Sequence, residues 1–266
     1  QTGRLPRLII HPTDPDIVLA CALGHAYGPQ QERGVFRTTD GGRTWTRTLF
    51  TDENAGCSDI AMDPKNPRIL FASTAEVYGQ VPEAEQPIDE RRAPAPRSPY
   101  ALTKAAAERT ALAARATVVR LFNLVGAGQA PTFALPSFAA QLAAIEKGLA
   151  PPVLRVGNLA ARRDFVRVAD AGVGLARLTD LGLPGAVANL ASGRAIAISE
   201  ALDRLLAVSG LEVRVEVDPE RCRPVDVPLL ADACPTLEAL GWKVRRSLDA
   251  ALTEVWQEAR LGVRGR

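Results

Sequence analysis

Tyr100 and Lys104 are the residues whose types and spacing most directly suggest chemistry. Residues four apart share one face of a helix. A nearby ammonium group favours the phenolate, so Lys104 is expected to lower the pKa of Tyr100 from its ordinary value of about 10. Tyr100 would then serve as a general acid or base near neutral pH. The pattern alone is weak, because Tyr and Lys at this spacing are common on exposed helices.

Hydroxyl and carboxyl groups precede this pair at the end of an expected strand. Thr74 closes the segment Phe71-Ala72-Ser73-Thr74, and Glu76 follows two residues later. Parallel α/β sheets place their sites at the carboxyl ends of strands, which makes Thr74 a candidate site residue. Glu76 has two interpretations, a catalytic base or a polar residue at the end of a strand.

Three further stretches follow in the chain: residues 120–129 (RLFNLVGAGQ), residues 157–165 (GNLAARRDF) and residues 221–224 (RCRP). In this order the motifs resemble the extended short-chain dehydrogenases that act on nucleotide sugars, the NAD-dependent epimerase/dehydratase family. The resemblance runs from about residue 70 to the end of the chain. It is greatest to the GDP-4-keto-6-deoxy-mannose reductases, with the GDP-mannose 4,6-dehydratases second.

The resemblance implies a catalytic role for three residues. Thr74 would hydrogen-bond the C4 oxygen of the sugar, and Tyr100 would protonate that oxygen. Lys104 would tune Tyr100 and bind the nicotinamide ribose, so that Tyr100 and Lys104 also form part of the cofactor site. The implied cofactor is NADP or NAD, and the sequence does not choose between them.

The resemblance also implies substrate contacts from Asn123, Arg163 and Arg223. Asn123 would contact the substrate phosphates. The two arginines would hold the diphosphate and ribose, a task suited to a planar guanidinium fork. The alternatives are a turn residue at the end of a strand for Asn123 and surface ion pairs for the arginines.

Glu76 leaves the exact reaction open. The family's dehydratases use a glutamate at this place as the base that removes the C5 proton, whereas the downstream motifs favour the reductase. An epimerase is a further enzyme alternative. An inactive fusion, or a binding module built on the N-terminal segment, is the alternative outside enzyme classes. The implied partner is a GDP-sugar, and the family suggests a homodimer through the helix that carries Tyr100.

The glycine-rich GxxGxxG turn of dinucleotide sites is absent from the sequence. Its glycines let the pyrophosphate approach the N-terminus of a helix closely. The chain is therefore expected to bind a dinucleotide weakly and to have impaired activity. The N-terminal segment, where the family has this turn, is interpreted as a sequence of different origin, so the chain is interpreted as a chimera.

That segment, residues 1–70, contains an internal repeat at an offset of 52 residues. His11–Leu19 resembles Asp63–Phe71, and each copy reads as a Pro-containing turn before a strand. Between them, Asp40-Gly41-Gly42 predicts a tight hairpin with Trp45 packed under it. The segment resembles one Asp-box (BNR) blade of a sialidase-like β-propeller. Asp40 is expected to stabilise the turn, with ligand contact as the alternative.

Residues 71–266 alternate between strand-like and helical stretches. Helices are predicted from a Ser98 cap to Ala114, from Phe133 to Lys147, and after caps at Asp170, Ser199 and Ser247. Strands are predicted at residues 117–122, 153–156, 186–190 and 213–217. This alternation indicates an α/β protein with an incomplete Rossmann-like parallel sheet and a small C-terminal substrate-binding subdomain, preceded by the blade-like segment.

Composition excludes several classes of protein. The chain has 266 residues, of which 47% are hydrophobic, and 32 basic residues nearly balance 30 acidic ones. This balance gives no support to a nucleic-acid surface, and no apolar run is long enough to span a membrane. The four cysteines contain no CxxC pair, which argues against a disulfide framework or a metal site and favours a reducing cytoplasm.

Overall fold

The computed structural model describes residues 3–25, 29–50, 53, 56–57, 60, 70–222, 229–231, 233, 235–244 and 248–262. They divide into two compact units. One contains the chain up to Gly79 together with Ala93–Arg120 and Leu175–Ala188. The other contains Gln80–Arg92, Leu121–Gly174 and the chain from Asn189 onward.

The strands among the described residues have the following bounds: β1 (Arg7–Ile10), β2 (Val18–Ala22), β3 (Gly34–Thr38), β4 (Thr46–Leu49), β5 (Leu70–Thr74), β6 (Thr117–Leu121), β7 (Asn123–Val125), β8 (Val153–Val156), β9 (Arg162–Arg167), β10 (Val187–Leu190), β11 (Ala195–Ala197), β12 (Arg214–Val217) and β13 (Leu229–Leu230). The α-helices are α1 (Pro99–Ala113), α2 (Ala134–Glu146), α3 (Val168–Leu181), α4 (Ile198–Ser209), α5 (Pro235–Ala239) and α6 (Leu248–Gly262).

The N-terminal segment is an antiparallel sheet of order β1-β2-β3-β4. Its last hairpin turns at Gly41 and Gly42, which have φ angles of 69° and 90°, as the Asp-Gly-Gly sequence predicts. The sheet is open and does not close into a propeller. The second copy of the predicted repeat, at residues 63–69, lies outside the described residues.

The cysteine spacing argued against a disulfide framework, and the structure nevertheless contains a disulfide. Cys21, fully buried in β2, is bonded to Cys57 across a sequence separation of 36 residues. Spacing cannot reveal such a pair, because the meander of β2, β3 and β4 brings the two cysteines together. Cys222 is an exposed free thiol.

The strand β5 and helix α1 belong to the first unit, and α1 packs against β5. The sheet order is β10-β6-β5, which places β6 in the centre. Residues 117–120 of β6 are buried, as a valine-rich strand covered on both faces requires. Helix α1 begins as predicted, because the Ser98 hydroxyl accepts a hydrogen bond from the Ala101 amide and Pro99 takes the first helical position.

The second unit contains parallel pairings of β7 with β9, β13 with β9, and β12 with β8, and an antiparallel pairing of β11 with β9. Helices α2, α4 and α6 pack together around a core that includes Phe138, Leu142, Leu205 and Trp256. The α/β architecture matches the prediction. The boundary at residue 70 between a propeller-like domain and a dehydrogenase domain remains a prediction.

Two predicted helix caps are wrong. Helix α3 begins at Val168, so Asp170 lies within its first turn. Helix α4 begins at Ile198 after Ala197, whose side chain makes no cap hydrogen bond, and Ser199 is helical. The end of α4 at Gly210, with φ of 69°, is as predicted. Ser247 lies outside the described residues.

Candidate active site at the end of strand β5

Thr74 ends β5, and a single 3-10 turn, Ala75–Tyr78, follows it directly. The Thr74 Oγ1 caps this turn by accepting a hydrogen bond from the Glu76 amide at 3.3 Å. The side chain of Thr74 is half-buried and that of Glu76 is exposed. The cap therefore fixes the hydroxyl and places the carboxylate beside it on the protein surface.

Helix α1 brings Tyr100 to this strand end. The phenol faces the Thr74 hydroxyl closely enough for that group to affect its pKa, and 51% of the Tyr100 residue remains exposed. Burial of the phenol raises the pKa of Tyr100 above its usual value, the nearby Thr74 hydroxyl opposes that shift, and the Glu76 carboxylate adds to it. Tyr100 is thus held as a neutral phenol, in the form that can give up a proton.

The prediction that Lys104 lowers the pKa of Tyr100 is wrong for this geometry. The Lys104 Nζ donates a hydrogen bond to the Ala72 carbonyl at 3.0 Å and lies 5.3 Å from the centre of the Phe71 ring. Burial lowers the pKa of Lys104, and the Glu108 carboxylate opposes that shift. The helical spacing placed Tyr100 and Lys104 on one face of α1. It could not reveal that the Ala72 carbonyl accepts a hydrogen bond from the Lys104 ammonium.

Glu76 lies close to the start of α1. Its Oε2 is 3.5 Å from the Ser98 Oγ, at the limit of a hydrogen bond. The same carboxylate acts electrostatically on Tyr100. The four residues predicted to be catalytic therefore form one cluster within the first unit. The cluster consists of Thr74, Glu76, Tyr100 and Lys104.

Sequence reasoning missed a buried ionic network beneath this cluster. Glu108 and Arg120 are 2% and 3% exposed, and Arg120 Nη2 donates to Glu108 Oε2 at 2.7 Å. The Ser73 hydroxyl also donates to Glu108, and Arg120 stacks on the Tyr78 ring. Two signals were present in the sequence: Glu108 continues the four-residue spacing of Tyr100 and Lys104, and Arg120 interrupts a valine-rich strand.

The predicted substrate-binding residues lie in the second unit. Asn123 begins β7 opposite Phe165 of β9, and its buried Oδ1 has no hydrogen-bond partner among the described residues. The half-buried Arg163 donates from Nη1 to the Arg162 carbonyl. Asp164 is fully buried and accepts from the Ser192 amide at 2.7 Å, and burial raises the pKa of Asp164. Arg223 lies outside the described residues.

Two of the described residues could hold one end of a nicotinamide dinucleotide. Tyr100 and Lys104 present a hydroxyl and an ammonium on one helical face, which suits the hydroxyls of the nicotinamide ribose. The sequence contains no GxxGxxG turn for the pyrophosphate. No cluster of His, Cys, Asp or Glu within the described segments could hold a metal ion. No helix in that part of the chain is long and apolar enough to cross a membrane.

Comparison with known proteins agrees with the resemblance seen in the motifs. The family model described as GDP-mannose 4,6 dehydratase matches residues 56–255. The GDP-6-deoxy-D-mannose reductase of Pseudomonas aeruginosa is 34% identical over 258 residues, an alignment that covers 92% of this chain and 82% of the reductase. Residues 71–266 are only about three quarters of the chain, so this alignment extends into the N-terminal segment. The chain spans 62% of the length of several more distant curated relatives.

Solved structures show the same fold. The structure of RMD from Pseudomonas aeruginosa complexed with NADPH superposes with a TM-score of 0.69 at 34% identity, over 73% of this chain and 67% of that one. A UDP-glucose 4-epimerase from Thermus thermophilus in complex with NAD gives a TM-score of 0.62 at 27% identity, over 73% of this chain and 64% of that one.

Proposed function

The chain belongs to the GDP-mannose 4,6-dehydratase family of NAD(P)-dependent nucleotide-sugar enzymes, and from that premise we propose that it reduces the C4 ketone of a GDP-4-keto-6-deoxy sugar. The observation that carries the proposal is the arrangement of Thr74 at the end of β5 and of Tyr100 and Lys104 on α1, whose Lys104 ammonium donates to the Ala72 carbonyl of β5 at 3.0 Å. The similarity to a GDP-6-deoxy-D-mannose reductase supports this choice of substrate.

The chemistry requires a hydride at C4 and a proton on the C4 oxygen. When bound, the reduced nicotinamide supplies the hydride. Thr74 would hydrogen-bond the sugar oxygen and orient it, and the Tyr100 hydroxyl would give its proton to that oxygen. Lys104, half-buried beside the Ala72 carbonyl, would hold the nicotinamide ribose. Asn123, Arg163 and Arg223 are proposed to hold the GDP moiety.

The cofactor would be NADP or NAD, by analogy with the relatives solved in complex with NADPH or NAD. Because the sequence lacks the GxxGxxG turn, we expect the affinity for either dinucleotide to be weak. We also propose a homodimer, as the family resemblance suggests, and a cytoplasmic location. The blade-like identity of residues 1–70 rests on the Asp40 hairpin and is proposed as a structural element without chemistry of its own.

Dehydration of GDP-mannose is the second candidate function. The observation that favours it is the position of Glu76, exposed beside Tyr100 and 3.5 Å from the Ser98 hydroxyl. A carboxylate there could remove the C5 proton of a substrate that had been oxidised at C4. Dehydration and ketone reduction consume different substrates, so one assay separates them.

The test incubates the purified chain with GDP-4-keto-6-deoxy-mannose and either NADPH or NADH, and follows the nucleotide sugars by anion-exchange chromatography. We expect conversion to the 6-deoxy sugar with matching oxidation of the reduced cofactor. A parallel incubation with GDP-mannose and NADP⁺ detects dehydration through formation of the 4-keto product. Turnover of neither substrate, at cofactor concentrations well above the measured Kd, would contradict both functions.

A further inference from the structure

Glu108 is a buried carboxylate that the proposed reaction does not use. It lies on α1 four residues after Lys104 and eight after Tyr100, so the three side chains follow one face of the helix. Only 2% of Glu108 is exposed. A carboxylate so deeply buried must be fully hydrogen-bonded to remain charged.

The partners of Glu108 come from two different strands. Arg120 of β6 donates to it through Nε at 3.0 Å and Nη2 at 2.7 Å, a fork that engages both carboxylate oxygens. Ser73 of β5 donates from its hydroxyl to Oε1 at 2.5 Å. Arg120 is itself fixed by stacking 4.7 Å above the centre of the Tyr78 ring.

These contacts join the elements that carry the candidate site. Ser73 immediately precedes Thr74, and Lys104 stands one helical turn before Glu108. A shift of α1 along β5 would break the bond from Ser73 to Glu108 together with the bond from Lys104 to the Ala72 carbonyl. Apolar residues could fill the same space at little cost in stability, because buried ion pairs seldom stabilise more than well-packed hydrophobic side chains. Directional bonds instead fix one register.

We propose that Glu108 is a positioning residue that sets the register of α1 on β5, so that Tyr100 lies beside Thr74 and Lys104 beside the Ala72 carbonyl. The inference rests on the proposed function of this cluster and deepens it. Glu108 acts on Lys104 through space, since its negative charge opposes the effect of burial on the ammonium group. Arg120 and Ser73 hold the carboxylate in place for this task.

The test compares Glu108→Gln with Glu212→Gln, an exposed residue of the second unit whose substitution changes the net charge equally. The lysine 13Cε resonances of isotope-labelled protein are titrated with pH, and Lys104 is assigned with a Lys104→Arg sample. We expect Glu108→Gln to lower the pKa of Lys104 by about one unit, because a nearby opposite charge is removed. Lys147, in the second unit, should titrate as before, and Glu212→Gln should change neither residue.

In the activity assay, Glu108→Gln should lower kcat about tenfold with little change in the KM for the sugar nucleotide. Glu108→Asp keeps a carboxylate and should lower kcat less. The lysine titration needs no turnover, so it tests the action of Glu108 on Lys104 even where the chain fails to reduce the ketone. An unchanged pKa of Lys104 in a folded Glu108→Gln variant would overturn the proposal.

If Glu108→Gln fails to fold, Ser73→Ala tests the positioning role of Glu108 instead. It keeps the ion pair and removes only the bond from β5 to the carboxylate. We expect the pKa of Tyr100 to rise further, followed through its 13Cζ resonance, because loosening β5 moves away the Thr74 hydroxyl, whose effect on Tyr100 opposes that of burial. A Tyr100 titration identical to that of the unmodified chain would refute the positioning role.

Discussion

Among single residues, Tyr100 carries the proton that the proposed reaction needs. Tyr100→Phe keeps the ring and removes the hydroxyl, so we expect kcat to fall about 10²- to 10⁴-fold, the usual contribution of a general acid. The KM for the sugar nucleotide should change little. Leu102→Ala is the matched control, since Leu102 is an exposed residue of the same helix, 54% accessible, and is expected to leave kcat unchanged. Equal rates for Tyr100→Phe and the unmodified chain would remove Tyr100 from the mechanism.

The pH dependence of the reduction follows from the environment of Tyr100. Burial raises the pKa of this phenol above its usual value of about 10, so the proton-donating form persists throughout the neutral and mildly alkaline range. We therefore expect kcat for ketone reduction to show no loss attributable to Tyr100 below about pH 10. A rate measured from pH 6 to 10 in buffers of constant ionic strength checks this. A fall in kcat centred near pH 7 would mean that the pKa of Tyr100 is lowered, as the sequence alone had predicted.

This contrast shows what residue types can and cannot reveal. The spacing of Tyr100 and Lys104, and the place of Thr74 before them, were enough to identify the candidate cluster. The direction of the pKa shift of Tyr100 was not predictable. It depends on the burial of the phenol and on the Ala72 carbonyl, which accepts a hydrogen bond from the Lys104 ammonium. Neither quantity is local in sequence.

At the scale of elements, the start of α1 sets the position of Tyr100. Ser98 caps the helix by accepting from the Ala101 amide at 3.1 Å. Ser98→Ala should cost about 1 kcal/mol of stability, the typical value for losing an N-cap. Urea unfolding followed by circular dichroism measures this cost. Ser98→Thr keeps a capping oxygen and should cost less, so equal losses in both variants would show that the cap is not what stabilises this end.

Helix starts were predicted well where a loop precedes the helix and poorly where a strand does. A loop precedes α1, and the Ser-Pro sequence marks its first turn correctly. Strand β9 ends at Arg167 and α3 begins at Val168, while β11 ends at Ala197 and α4 begins at Ile198. With no intervening loop, the last residue of the strand takes the cap position, and at α4 this is Ala197, whose side chain cannot accept a cap hydrogen bond. Asp170 and Ser199 therefore fall inside the first turns, and residue type alone misplaces these caps by three and two positions.

For the whole molecule, the α/β class and the family were evident from motif order, whereas the N-terminal segment was not. The Asp-Gly-Gly hairpin was predictable because positive φ angles favour glycine. Asp40 supports that turn by accepting from Thr38 and Thr44, and these bonds lower the pKa of Asp40 to about 2. The bond between Cys21 and Cys57 joins residues that only the folded sheet brings together, so no spacing rule could have found it.

That disulfide bears directly on the compartment in which the chain works. It closes a loop across 36 residues, for which loop-closure entropy predicts about 3 to 4 kcal/mol of stabilisation. Disulfides persist in oxidising compartments and are reduced in the cytosol. In the proposed cytoplasmic setting, the N-terminal sheet would therefore lose this contribution, whereas the cluster around Tyr100 contains no cysteine and would keep its contacts.

Loss of the disulfide should destabilise the N-terminal sheet. We expect reduction with a phosphine, or the double variant Cys21→Ser/Cys57→Ser, to lower the midpoint of urea unfolding that the fluorescence of Trp45, in the last hairpin of this sheet, reports. The signals of Trp242 and Trp256, both in the second unit, should shift less. Cys222→Ser is the matched control, because that thiol is exposed and unbonded. Peptide mapping of the unreduced chain should recover Cys21 joined to Cys57. Failure to find that peptide after oxidative refolding, together with an unchanged Trp45 midpoint on reduction, would show that the sheet is held by its strand pairing and core alone.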